Sequence, residues 1–305
     1  MSRLTLACTL LVGTAAVAED PAVAAARVRQ EAVTTLVLEY QQVTRVFLPQ
    51  TLARPATEAV ASADNRIVLD GIRVRVEDNS PVMSTGGIFH RQQHISVFDG
   101  EETRTFFPRG IGAGESPVGI IHPREDRALM QIPRPLAMHF RGLKPEFGHD
   151  TIDRWQPTGR AMVIDGVNYP ELEVQFKENL TRYWVDPTKG HVVHRVDSEH
   201  NGRLTRRETI TYRQNPTGCV PGGWRDEVLR ADGAPWQIHE STVTRLVVNG
   251  PVDAGEFRLE FPPGANVNDQ KTHRELRVEA DGHLRELTAE EMFGTPRQST
   301  VRQWV

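Results

Sequence analysis

The chain has 305 residues, room for one large domain or two small ones, and its 38% hydrophobic and 25% charged content is that of an ordinary globular protein with a core. A formal net charge of −4 offers no basic footprint for nucleic acid. Past the first residues no apolar run approaches the ~20 residues of a membrane-spanning helix, and only Lys144, Lys177, Lys189 and Lys271 among the 36 basic residues are lysines.

Arg3 precedes the apolar or small residues 4–17, and Ala16-Val17-Ala18 forms a small-x-small site before Glu19. Residues 1–18 therefore read as a cleavable signal peptide, which places the mature protein in the periplasm or otherwise outside the cytoplasm. Its loss removes one charge, Arg3, leaving −5 on the mature chain, and leaves Cys219 as the sole cysteine. No intramolecular disulfide can then form, so stability must come from packing.

Asp20-Pro21 is a helix start, with Asp as cap and Pro suited to the first helical position, and residues 22–32 read as a short helix. Alternation sets in at Thr34 and runs to Phe47 as a first long strand. Residues 49–64 are Pro- and Ala-rich and read as a loop. Residues 66–78 read as one long strand, with Val68, Ile72, Val74 and Val76 on one face and Arg73, Arg75 and Glu77 on the other. Residues 92–98 and 103–107 form a hairpin around Asp99-Gly100. Residues 108–148 are punctuated by glycines and prolines; the stretch breaks the strand pattern and reads as a lid or insertion with helical pieces at 124–130 and 135–140.

Residues 169–212 read as a meander of four hairpin-linked strands, with Leu172, Val174 and Phe176 alternating with polar residues. Asp186-Pro187-Thr188-Lys189-Gly190 is turn chemistry, and Asn201-Gly202 favours a primed two-residue turn. Strands are expected at 219–230, 236–248 and 257–261, and a last hairpin at 276–287 around Asp281-Gly282. Residues 291–305 read as a frayed tail, leaving 19–290 as a single domain. The strands should form one antiparallel sheet without a parallel crossover.

Three stretches resemble the periplasmic outer-membrane lipoprotein carrier, or lipoprotein-sorting-like, superfamily. They are residues 97–108, from Val97-Phe98-Asp99-Gly100 to Phe106-Phe107-Pro108; residues 257–264, Phe257-Arg258-Leu259-Glu260-Phe261-Pro262-Pro263-Gly264; and the strand-turn Trp184-Val185-Asp186-Pro187 with Gly190. The resemblance implies a mainly β (α+β) fold: a strongly curved antiparallel sheet, an unclosed half-barrel with short helices covering its concave face. It also implies an apolar cavity for lipid or lipoprotein acyl chains. The family's Arg-Pro pair on an early strand has no counterpart in 66–78, and Arg54-Pro55 falls in a loop at another spacing.

Catalytic chemistry finds little footing. His90 and His94, like His191 and His194, lie beside or on strands, and no Cys or carboxylate cluster completes a tetrahedral metal set. Gly114-Glu115-Ser116-Pro117 does not match a nucleophile elbow, and Pro117 would block the helix such an elbow needs. Cys219 beside Val220-Pro221-Gly222-Gly223 would need a base that the sequence does not place. The expectation is a non-enzymatic, exported binding protein without cofactor or metal. Its partners would be lipid or lipoprotein acyl chains and envelope proteins, and Val68, Ile72, Val74, Val76, Phe98, Phe106 and Trp184 would line the cavity. Two rivals are an envelope interaction domain whose cavity its own side chains fill and, last, a hydrolase.

Overall fold

A computed structural model describes residues 19–48, 57–83, 89–110, 116–123, 132–140, 152–216, 218–288 and 290–291. Helix α1 (Pro21–Ala32) begins as the sequence indicates: the Asp20 side chain accepts a hydrogen bond from the Ala22 N–H at 2.8 Å, and Pro21 opens the helix. A first group of strands follows: β1 (Thr35–Leu48), β2 (Thr57–Asp70), β3 (Arg73–Asp78), the short β4 (Pro81–Met83) and β5 (Phe89–Arg91), then β6 (His94–Phe98), β7 (Thr103–Phe107) and β8 (Val118–His122). Helix α2 (Arg134–Phe140) separates these from a second group: β9 (Gln156–Ile164), β10 (Val167–Phe176), β11 (Asn179–Asp186), β12 (Val192–His200), β13 (Arg203–Asn215), β14 (Gly218–Leu229) and β15 (Pro235–Val248). The chain closes with β16 (Asn266–Asp269), β17 (Arg274–Val278) and β18 (Leu284–Glu286).

The fold is mainly β, and its large sheet is unclosed. Sixteen strands lie in the order β18-β17-β16-β8-β7-β6-β3-β2-β1-β15-β14-β13-β12-β11-β10-β9, with β4 and β5 paired separately. Two meanders meet where β1 pairs with β15 along most of its length. Turn chemistry supports this order. At Asn201-Gly202 both residues take positive φ, 52° and 72°, as a primed hairpin turn requires.

Several expectations need correction. Residues 57–64 are strand, not loop: small alanines at 59, 61 and 63 pair with β1 across from Val46, Thr44 and Gln42. Residues 66–78 are two strands, because Gly71 takes a left-handed φ of 55° and turns the chain. The stretch 108–148 contains β8, a member of the main sheet; its expected helix at 124–130 lies outside the described residues, as do the signal peptide 1–18 and nearly all of the tail. Residues 254–257 form a 3-10 turn, and 258–261 are irregular rather than a strand. The sheet is also not purely antiparallel. β16 runs parallel to β8, Val267 beside Gly119, because after β15 the chain crosses one face of the sheet before entering its edge.

That crossing makes the two faces of the sheet different. On one face, Ala22, Val23 and Ala26 of α1 and Leu136, Ala137 and Met138 of α2 share one core with Leu38, Ile67, Val74, Phe98, Leu172, Tyr183 and Trp224. On the other, Phe257 packs on Val68 and Val97, and Phe261 on a second small core with Ile121 and Val267. Arg66 anchors this crossing with paired bonds to Glu256 at 2.6 and 2.8 Å.

Candidate functional site

The site grows out of the small residues of α1. Ala22 and Ala26 are buried in the core while Ala24 and Ala25 face the cavity, and Gln30 Nε2 ties the helix to α2 by donating to the Met138 carbonyl at 2.9 Å. Beyond this contact the two helices do not fill the space over the ends of β12, β14 and β15. A cavity of about 610 Å³ remains there, with Ala24, Val28 and Val33 of the α1 side facing Phe140, Val192 and Val220. That volume falls within the roughly 300–1,000 Å³ range of small-molecule sites. Val28 is 66% exposed, so it borders both cavity and solvent.

Five polar groups interrupt this apolar lining: Arg29, Lys189, His139, Cys219 and Asn249. The half-buried Arg29 guanidinium donates to the Gly190 carbonyl at 2.7 Å and the His191 carbonyl at 3.0 Å. Burial pulls its pKa below the ordinary arginine value. Lys189 Nζ pairs with Asp186 Oδ2 at 3.0 Å. Asp186 is itself buried, accepts from Thr188 N and Oγ1, and lies below the ordinary carboxylate range despite its burial. His139 is wedged edge-on against Phe140, ring centroids 4.7 Å apart, and beside Tyr212 at 5.6 Å. Burial and the nearby Arg29 hold its pKa down to about 3, against a hydrogen bond with the Cys219 backbone, so the imidazole is neutral at physiological pH. Cys219 is a free, half-buried thiol within 3.1 Å of Gln214 Nε2.

No protein-family model matches the sequence, and no curated protein matches it. Solved structures do. One is a DUF1329 family protein from Desulfovibrio piger, 11% identical, covering 79% of this chain and 98% of its own with a TM-score of 0.43. Another is an outer membrane lipoprotein-sorting protein domain from Vibrio parahaemolyticus, 10% identical, covering 78% and 94%, also with a TM-score of 0.43.

The residues singled out from sequence do not gather at this cavity. Val74, Val76 and Phe98 are buried in the core beneath the helices. Val68 faces the opposite way, against Val97 and Phe257. The reason is the turn at Gly71: Asp70 pairs with Arg73 and Leu69 with Val74, so Val74 shares a face with Leu69 rather than with Val68. Ile72 sits in that turn, 55% exposed. The Asp99-Gly100 hairpin has the same effect on Phe106, which pairs with Ile95 and meets Phe261 at 6.1 Å on the far side. Trp184 is buried on the side opposite Tyr183 and Val185, with the Arg195 guanidinium 5.0 Å over its ring. The cavity residues were missed because they come from stretches more than 200 positions apart in the chain. The one available signal was the run of alanines in α1.

Among the described residues, no group of three or more His, Cys, Asp or Glu is placed to hold a metal ion. The most buried carboxylate, Glu208, is tied into an ionic group: Arg206 Nη2 lies 3.2 Å away and Arg134 Nη1 3.4 Å, while Arg206 also grips Asp226 through two bonds of 2.7 and 2.8 Å. Arg134 donates as well to Ser198 Oγ at 2.8 Å. The arrangement fastens α2 to β12 and β13. No described helix is long and apolar enough to cross a membrane.

Proposed function

We propose that this chain is an exported, non-enzymatic protein that binds lipid or lipoprotein acyl chains, and that the cavity between α1, α2 and the strand ends is where a chain lies. One observation carries the reading: an apolar cavity of about 610 Å³ with an exposed valine at its border. Removing an acyl chain from water is worth roughly 0.8 kcal/mol per methylene. About fourteen methylenes give on the order of 11 kcal/mol before ordering costs, so such a cavity needs no polar motif to bind. On this reading the sheet is curved, with the helices on its concave side. The core supports this: it runs continuously from Phe98 in β6 to Leu172 in β10, nine strand spacings that would spread over roughly 40 Å in a flat sheet.

Native mass spectrometry of the purified protein should reveal co-purified lipid, and methyl cis-parinarate should bind with a fluorescence rise. Val28→Asp places a carboxylate at the cavity border on a solvent-exposed helix position. It should weaken methyl cis-parinarate binding roughly tenfold while leaving the melting temperature nearly unchanged. Binding unaffected by Val28→Asp would remove this cavity as the site. Binding of no acyl probe at micromolar concentration would turn the reading to an interaction domain of the cell envelope.

A further inference from the structure

The charges at the cavity are all of one sign. Arg29 and Lys189 line it, and no carboxylate does. Lys189 has a partner in Asp186, 3.0 Å away. Arg29 has none of opposite charge: among the described residues its guanidinium meets only the Gly190 and His191 carbonyls, and its buried Nε has no hydrogen-bond partner. A half-buried guanidinium normally has its charge balanced by an anion, because desolvation is otherwise uncompensated. His139 cannot add charge, being held neutral by burial. Apart from the Cys219 thiol and the Asn249 amide, which is already bonded to Thr34 N and the Ala32 carbonyl, the remainder of the lining is alanine, valine and phenylalanine side chains with glycine backbone.

Resting on the lipid-binding reading above, we infer that the ligand is a single-chain carboxylate, a fatty acid rather than a neutral lipid, with its head group balancing Arg29 and its chain in the apolar space. The volume argues for one chain. A methylene is about the size of a water molecule, whose share of liquid volume is roughly 30 Å³, so 610 Å³ accommodates on the order of 20 such groups and not two or three long chains. The charge argues for a monoanion. One unbalanced guanidinium, with two of its N–H groups already given to carbonyls, matches a carboxylate; a phosphate dianion calls for more donors than this rim supplies.

The test is displacement of methyl cis-parinarate by dodecanoate, dodecanol and dodecyl phosphate at neutral pH. Dodecanoate should compete roughly tenfold better than dodecanol, the scale of one charge-assisted hydrogen bond. That ratio should fall toward one in Arg29→Gln and shrink in Lys189→Gln. It should also shrink for the wild type at salt on the order of 0.5 M, a measurement that holds even if Arg29→Gln fails to fold by circular dichroism. Equal competition by acid and alcohol would overturn the carboxylate inference and leave the apolar reading standing. Tighter binding of dodecyl phosphate would likewise overturn it. Failure of methyl cis-parinarate to bind the wild type at all would overturn both.

Discussion

His139 shows how one buried side chain couples the cavity to pH. Its imidazole lies between Phe140 and Tyr212, and its folded pKa is pushed down to about 3, while in the unfolded chain it would be ~6.5. Above pH ~6.5 neither state is charged and the burial costs nothing electrostatic. Below it the unfolded chain takes up a proton that the folded chain refuses, so stability falls by up to about 1.4 kcal/mol per pH unit until the pH nears the folded value. His194 and His239 are lowered by burial in the same sense, so the wild type should lose stability steeply between pH 6.5 and about 4. His139→Phe keeps an aromatic ring in the slot and removes one titrating group. Chemical denaturation across that range should give a shallower pH dependence for the variant. Parallel curves would mean that His139 is protonated in the folded protein.

At the scale of elements, the segment between β15 and β16 decides how the far edge of the sheet is covered. Phe261 lies directly on Gly119 of β8, and a Cβ at that glycine would sit 2.7 Å from the ring. The absence of a side chain at 119 is what lets the ring descend onto the strand. Gly119→Ala should therefore destabilise by about 1–3 kcal/mol through overpacking, seen as a fall in melting temperature. In a Phe261→Leu background the same substitution should cost less, because the smaller side chain can give way; additive costs would refute the contact. The stretch carrying Phe257 and Phe261 was legible as apolar but not as a crossing. A strand and an irregular strap have similar composition when both bury alternate aromatics, and only the Pro262-Pro263 pair signals that ladder hydrogen bonding is unavailable.

All described strands but β4 and β5 lie in one open sheet, and its stability should follow strand order rather than chain order. β1 is hydrogen-bonded on both sides by long partners, β2 and β15, whereas β9 stands at one end with mostly exposed side chains and β18 at the other with three residues. Native-state hydrogen exchange should find the slowest amides in β1, β14 and β15 and the fastest in β9 and β17–β18. Slow exchange in β9 would show that its edge is paired in solution, by a second copy or another chain.

The Asp20-Pro21 cap was enough to place α1, and alternation and turn residues the β10–β13 meander, the Asp99-Gly100 hairpin and the long β14 and β15, because caps, period-two burial and positive-φ turns are local properties that a few neighbouring residues express. The facing of Val68, Phe106 and Trp184 was beyond that reach. A two-residue turn inverts which residues share a face, so misreading Asp70-Gly71 as mid-strand moved Val68 to the wrong side. The parallel entry of β16 beside β8 and the pairing of β1 with β15 depend on contacts across most of the chain. The cavity is of the same kind. It is the space left when a small-residue helix, a second helix and three strand ends pack, so its volume and the unbalanced Arg29 arise only from tertiary packing and correspond to no motif in the sequence.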